Sequence, residues 1–152
     1  MSGLTFPVPR GATGARGYSH LSVATGPGKT VYVAGTFGMK DGSFAGAPGD
    51  FRAQCEQAFE NVKQALAAGG ATFKDVARIT NYFVDMADLP TFFEVRDRYV
   101  NTKAPPASTA FQVVKLARDE ALFEIEAIAF VAPKKAKPAK KKAAKKSAKK
   151  RR

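Results

Sequence analysis

Two glutamates sit two residues apart inside an apolar run, Phe123-Glu124-Ile125-Glu126-Ala127-Ile128-Ala129-Phe130, and their types and spacing suit acid–base chemistry. Side chains alternate faces along a strand, so Glu124 and Glu126 project to one side about 7 Å apart, with Ile128 and Phe130 beside them. Ionised carboxylates are costly in such surroundings, because an apolar environment does not replace their hydration. A carboxyl in apolar surroundings keeps its proton to higher pH and can serve as general acid or base. A plainer reading stays open beside this one. Either glutamate, and Glu126 above all, suits a strand edge or interface satisfied by backbone amides or by lysines of a neighbouring copy. Tyr18, at a loop-to-strand junction, equally suits packing.

Other chemistries find less support. His20 is the only histidine and has no cysteine or second histidine at ligand spacing, so no metal site is expected. The glycine-rich segment 38–49 lacks the lysine placement and spacing of a phosphate-binding loop, and no cofactor is expected. Cys55 falls on the apolar stripe of a helix and reads as an inert core thiol. A single cysteine excludes an internal disulfide and suits a reducing, cytoplasmic address. The N-terminus has no apolar core of secretory length, and no window approaches the ~18 apolar residues of a membrane span.

The elements that must position these residues follow from periodicity and turn chemistry. Residues 1–17 are rich in Gly, Pro and Ala and read as a flexible segment, with 4–8 as a candidate edge strand. Residues 20–25 and 29–36 read as strands joined by the Gly26-Pro27-Gly28 turn. Asp50 caps a helix whose apolar residues Phe51, Cys55, Phe59, Val62 and Leu66 recur at helical spacing up to Gly69-Gly70. Residues 76–85 are expected to form a strand, and Asp88 to cap a second helix containing Leu89, Phe92, Phe93, Val95 and Tyr99. Strands over 109–116 and 122–131 complete the order β-β-α-β-α-β-β. The economical architecture is an α+β fold, a twisted sheet with both helices on one face. The other face then carries Tyr32, Glu124, Glu126, Ile128 and Phe130 or their opposite-face neighbours, more apolar surface than a monomer usually leaves wet, so closed self-association is expected.

The charge divides the chain. Of 152 residues, 25 are basic and 13 acidic, a net charge of +12, yet the body up to residue 132 is close to neutral. The excess lies in 134–152, which carries Lys140, Lys141, Lys142, Lys145, Lys146, Lys149, Lys150, Arg151 and Arg152 among its basic residues and no acid. This Lys/Ala/Pro-rich stretch, similar in composition to histone-type tails, reads as disordered. With no aromatic residue interleaved, its binding to DNA or RNA would run through phosphates without regard to sequence. A solubilising tail or a transport address is the simpler alternative. The domains are thus 1–17, a globular unit over 18–132, and a basic tail over 133–152.

Gly17-Tyr18-Ser19, Val33-Ala34-Gly35, Asn61-Val62-Lys63, Val84-Asp85-Met86, Pro105 to Thr109 and Glu124-Ile125-Glu126-Ala127-Ile128-Ala129 together resemble the RidA/YjgF family over roughly residues 15–131. The resemblance implies a chorismate-mutase-like fold, a homotrimer with clefts between subunits, and, for the well-studied branch, hydrolysis of reactive enamines and imines to keto acids and ammonia. It implies that Glu124 positions the attacking water and that Tyr18 lines the cleft, with Ala34, Gly35, Phe93, Ala107, Ser108 and Thr109 around the substrate. Gly35 would allow close backbone approach at the cleft mouth, though a plain bulge explains it as well.

The sequence departs from the family where the substrate carboxylate is held. The family's arginine is replaced by Ala107, a cleft serine by Ala34 and an asparagine of the second helix by Phe93. Without the two parallel charge-assisted bonds of a guanidinium, a carboxylate near Glu124 meets repulsion, which favours neutral or cationic substrates. Arg16, next to Tyr18, is a weaker candidate for an anion-binding group. Two functions follow: a cleft protein that binds, and on the family's pattern hydrolyses, imine-, enamine- or carbonyl-type metabolites lacking a carboxylate, or a nucleic-acid-associated trimer that presents basic tails at the nucleoid. Ribonuclease activity ranks low, because the chain lacks paired histidines.

Overall fold

A computed structural model of the chain describes residues 3–12 and 17–133. Arg16 and the tail lysines and arginines singled out above lie outside the described residues. The elements are β1 (Gly3–Thr5), β2 (Val23–Thr25), β3 (Lys29–Phe37), β4 (Met39–Lys40), β5 (Ser43–Phe44), α1 (Phe51–Ala68), β6 (Val76–Phe83), α2 (Leu89–Arg96), β7 (Ala107–Gln112) and β8 (Phe123–Val131).

α1 forms for the reasons its sequence offers. The Asp50 carboxylate accepts the Ala53 N–H at 2.9 Å and satisfies one of the free amides of the first turn. Phe51, Cys55, Phe59, Val62 and Leu66 make a buried stripe, and Gly70 closes the end with φ +68°. α2 stops at Arg96, one turn short of Tyr99, and Asp88 makes no side-chain cap. Asp85 instead accepts the Ala87 N–H at 2.8 Å and opens a single 3-10 turn before the helix.

β3, β8, β6 and β7 form a mixed sheet in the order β3-β8-β6-β7, antiparallel except for the parallel pair β6 and β7. The sheet and two helices are the expected α+β arrangement. Three details differ from the sequence reading. β1 is Gly3–Thr5 and pairs with β2 in a ribbon of its own, so neither lies in the main sheet. The glycine-rich loop contains a tight hairpin, β4 to β5, turned by Asp41 at φ +51° and Gly42 at φ +84°. Asp-Gly is the pair that such a turn requires, so this hairpin was present in the sequence as a signal. Finally, β7 covers 107–112; Val113 still donates its N–H to Phe83 O of β6 at 2.8 Å, and the loop beyond it leaves the sheet.

Alternation on β8 settles which face is covered. Phe123, Ile125, Ala127 and Ala129 are buried against the helices, whereas Glu124, Glu126, Ile128 and Phe130 are half-buried on the opposite face. Phe59 of α1 is fully buried among Phe73, Phe92, Tyr99 and Phe123, and Cys55 lies in the same core, where burial pushes its thiol pKa up. The open face carries Tyr32, 76 % exposed, Phe111, and Tyr82 stacked on Phe111 at 6.0 Å.

Candidate functional site

β3 runs beside β8 in regular antiparallel register as far as Val33 opposite Ala127, then slips, and resumes with Thr36 opposite Ile125. Ala34 and Gly35 occupy the bulge. A Cβ on Gly35 would lie 1.9 Å from Oε1 of Glu124 and 2.9 Å from its Cδ, so the Glu124 carboxylate rests against the bare backbone there. Among the described residues nothing donates a hydrogen bond to it. Burial, and secondarily the neighbouring Glu126, hold its pKa above the ordinary carboxylate value. The result is a carboxyl on an open sheet face whose pKa is shifted upward and whose oxygens accept no hydrogen bond among the described residues.

Glu126 accepts a long hydrogen bond, 3.4 Å, from the hydroxyl of Tyr82, which lies opposite Glu124 on β6. Burial and Glu126 raise the Tyr82 pKa, so its hydroxyl stays protonated and remains a donor. Tyr82 was missed in the sequence reading. Its parity within 76–85 places it with Arg78 and Thr80, but only the register of β6 on β8 puts it beside the glutamates.

A second group of candidate residues gathers at the start of β7. Ser19 donates its N–H to Pro106 O at 3.0 Å and its hydroxyl to Pro105 O at 2.6 Å, and pairs with Ala107 in a parallel bridge. Two residues earlier, Gly17 at φ +73° lies under the Arg96 guanidinium, whose Nη2 would be 2.1 Å from a Cβ. Arg96 is held by Asp97 at 2.6 Å and stacks over Phe93 at 4.7 Å. Tyr18 is therefore fixed between two anchored neighbours, with its ring 5.5 Å from that of His20. Ala107 and Thr109 share the face of Glu124, because their β6 partners Arg78 and Thr80 lie opposite Ile128 and Glu126.

The two groups do not meet in one chain. Ala107 is in register with Arg78, and Glu124 with Tyr82, four residues along β6, while β7 and β8 are two strand spacings apart. At ~3.3 Å per residue and ~4.8 Å per strand, Ala107 and Glu124 are about 16 Å apart. Ser108 and Phe93 lie on the helix side instead. Ser108 receives the Nδ2 hydrogen of buried Asn81 at 3.1 Å, and Phe93 packs against the core below Arg96. Among the described residues no group of three potential ligands from His, Cys, Asp and Glu comes together, and no helix is long and apolar enough to cross a membrane.

Known proteins share this architecture. The sequence profile of a family described as Endoribonuclease L-PSP matches residues 12–131. A mouse protein named 2-iminobutanoate/2-iminopropanoate deaminase is 34 % identical over 105 residues, 69 % of this chain and 76 % of the relative. A Rid-family protein, YyfB, from Yersinia pestis superposes with a TM-score of 0.73 at 28 % identity, covering 83 % of this chain and 97 % of that one. TdcF of E. coli, solved with bound serine, matches with a TM-score of 0.60 at 29 % identity over 85 % and 96 % of the two chains. A profile spanning most of the chain, together with a fold shared along nearly the whole length of the solved relatives, shows that this chain belongs to the RidA/YjgF/L-PSP family.

Proposed function

We propose that this protein hydrolyses small imine- or enamine-type metabolites in clefts formed between copies of the chain, assembled as a homotrimer. The observation that carries the reading is the Glu124 carboxyl, packed on Gly35, without a hydrogen-bond partner among the described residues and with its pKa raised by burial. Such a group can take a proton from water as the water adds to a C=N carbon, then deliver a proton to the departing nitrogen. Water and imine become a carbonyl compound and ammonia, and the carboxylate is regenerated.

Self-association gives the scattered candidates a common site. The Gly35–Glu124 half and the Tyr18–Ala107–Thr109 half lie about 16 Å apart on one uncovered face, too far to hold one small molecule but placed to meet across an interface. Exposed Tyr32 and Phe111 supply apolar surface for that contact. The mouse relative's name specifies 2-imino acids and TdcF holds serine, ligands that carry a carboxylate. Ala107, which carries no charge, points this chain toward imines without one.

The test uses the full chain. Imines generated by an amino-acid oxidase, and by an amine oxidase for carboxylate-free ones, are followed to carbonyl product with wild type and Glu124→Gln, beside the mass in solution from light scattering. The reading expects a trimer and a loss of about 10² or more in kcat/KM on removing the acid–base group. A stable monomer, or turnover undiminished by Glu124→Gln, would overturn it. The basic tail supports a second, separable reading: twelve of the last nineteen residues are Lys or Arg and none is acidic, a composition that binds polyanions whatever the body does.

A further inference from the structure

We infer that the helix layer carries a stacking site for one unpaired nucleobase, and that this site makes the chain prefer single-stranded over duplex nucleic acid. The inference deepens the polyanion reading of the tail and is independent of the Glu124 cleft. Where the second half of α1, the 3-10 turn Phe73–Asp75 and the chain just past α2 come together, they leave an open hollow of about 660 Å3. Its floor is aromatic. Phe73 and Tyr99 lie 5.5 Å apart, and both rings rest on the buried ring of Phe59, at 5.9 and 4.9 Å. Each is half-buried, held from below with part of its surface toward the hollow. The walls carry Lys63, Lys74 and Arg98 with a single carboxylate, Glu60.

An aromatic floor and a cationic rim are the two parts that a single strand needs: a face on which a base stacks, and positive charge for the phosphate beside it. Glu60 sorts the two. It pairs with Lys63 at 3.1 Å and accepts the Tyr99 hydroxyl at 2.9 Å, and these bonds hold its pKa below the ordinary carboxylate value, so it stays ionised and keeps phosphate off the floor. Lys74 is exposed and has no carboxylate within ion-pair distance among the described residues, which leaves it for the phosphate. The tail begins at the same end of the molecule. β8 ends at Val131 opposite Lys29, whose Nζ donates to Gly69 O at the end of α1, and Val76, directly after the turn that carries Phe73, lies opposite Ala129. Beyond Pro133 the sequence has twelve basic residues among nineteen. A polybasic stretch alone favours the duplex, whose phosphates are more densely packed, with about 0.9 counterion released per contact against about 0.7 on a single strand. A preference for single strands must therefore come from unpaired bases and a surface that stacks them. One base on two rings binds weakly by itself, but tail contacts raise its local concentration, so the two act together on one strand.

The full-length protein, Phe73→Leu and Lys74→Glu are compared by fluorescence anisotropy on a labelled oligothymidylate and on a duplex of equal length at one salt concentration, with the melting temperature of each variant beside it. The inference expects the wild type to bind the single strand about tenfold or more tightly than the duplex. Phe73→Leu, which keeps an apolar side chain but removes the stacking face, should erase that preference and leave duplex affinity unchanged. Lys74→Glu, at an exposed position, should weaken the single strand more than the duplex, and it decides alone if Phe73→Leu does not fold. Equal or tighter duplex binding by the wild type overturns the inference while the polyanion reading of the tail stands. A preference retained in folded Phe73→Leu, or in Lys74→Glu, also overturns it. Thymidine monophosphate that displaces the oligonucleotide at equal nucleotide concentration would overturn it too, by assigning the hollow to a free nucleotide. Binding of the single strand through Phe73 with none of the duplex would keep the stacking site and remove the tail reading.

Discussion

Gly35→Ala offers a close test of whether the bulge exists to seat Glu124. The substitution adds one methyl group, which would lie 1.9 Å from Oε1 of Glu124, and ordinary contact near 3.4 Å is regained only if the carboxylate retreats by about 1.5 Å. Gly35 has no left-handed φ, so alanine is compatible with the backbone, and the atom it meets is the far end of a flexible side chain. Stability should change by less than ~1 kcal/mol. A misplacement of ~1 Å at a reacting group can cost ~10² in rate, about 2.7 kcal/mol, so kcat/KM should fall about a hundredfold while the melting temperature hardly moves. The assay compares wild type, Gly35→Ala, Glu124→Gln and the double variant on amine- and amino-acid-derived imines. If the methyl acts by displacing Glu124, it has nothing left to displace functionally in the double variant, whose rate should match Glu124→Gln alone. A wild-type rate in Gly35→Ala refutes the cradle. An equal hundredfold loss in the Glu124→Gln background would show that Gly35 works by approaching the ligand itself.

Phe59→Ala should lower unfolding free energy by roughly 3–5 kcal/mol in denaturant titrations, because the ring is fully buried against four other aromatic side chains. Glu124→Gln should raise thermal stability at neutral pH: a carboxyl whose pKa is raised by folding favours the native state below its ordinary value near ~4.3 and loses that contribution as pH rises through the folded value. The gain should fade on acidification below that range, and a melting-temperature difference constant from pH 4 to 8 would contradict the raised pKa. The full chain should bind mixed DNA and RNA with an affinity that drops by about 10³ or more between 50 and 200 mM salt, and deletion of residues 134–152 should abolish the binding. Equal retention by both forms would place nucleic-acid contacts on the body.

Local signals in the chain were sufficient for local structure. Asp50, the spaced apolar residues of α1 and the Gly69-Gly70 end carry that helix in the sequence, because capping and periodicity act within a few residues. The parity of Glu124 and Glu126 was equally readable, since it depends on neighbours two positions away. The short α2 was less legible: Arg96 is buried beneath Gly17 and beside Phe93, a contact between distant segments that no window over 88–99 contains. The placement of β1 against β2 failed for the same reason. Whether a short strand joins the main sheet or forms its own ribbon depends on which edge is free, not on its composition.

The site shows this division between local and non-local information most clearly. Residue types nominated Glu124, Tyr18 and the segment 107–109, and parity alone would separate Ser108 from its neighbours. Register then decides what stands beside what. It sets Tyr82 opposite Glu124 and Arg78 opposite Ala107, and neither pairing has a signature in either strand taken singly. The residue at any one position therefore says less about a surface than the side chains that share its face across neighbouring strands, as Arg78 does directly across from Ala107. A guanidinium side chain spans more than the ~4.8 Å between adjacent strands, so a cation on β6 can serve a position on β7. On this face Glu124 and Arg78 stand four residues apart along neighbouring strands, and that separation is set by register, which no single strand encodes.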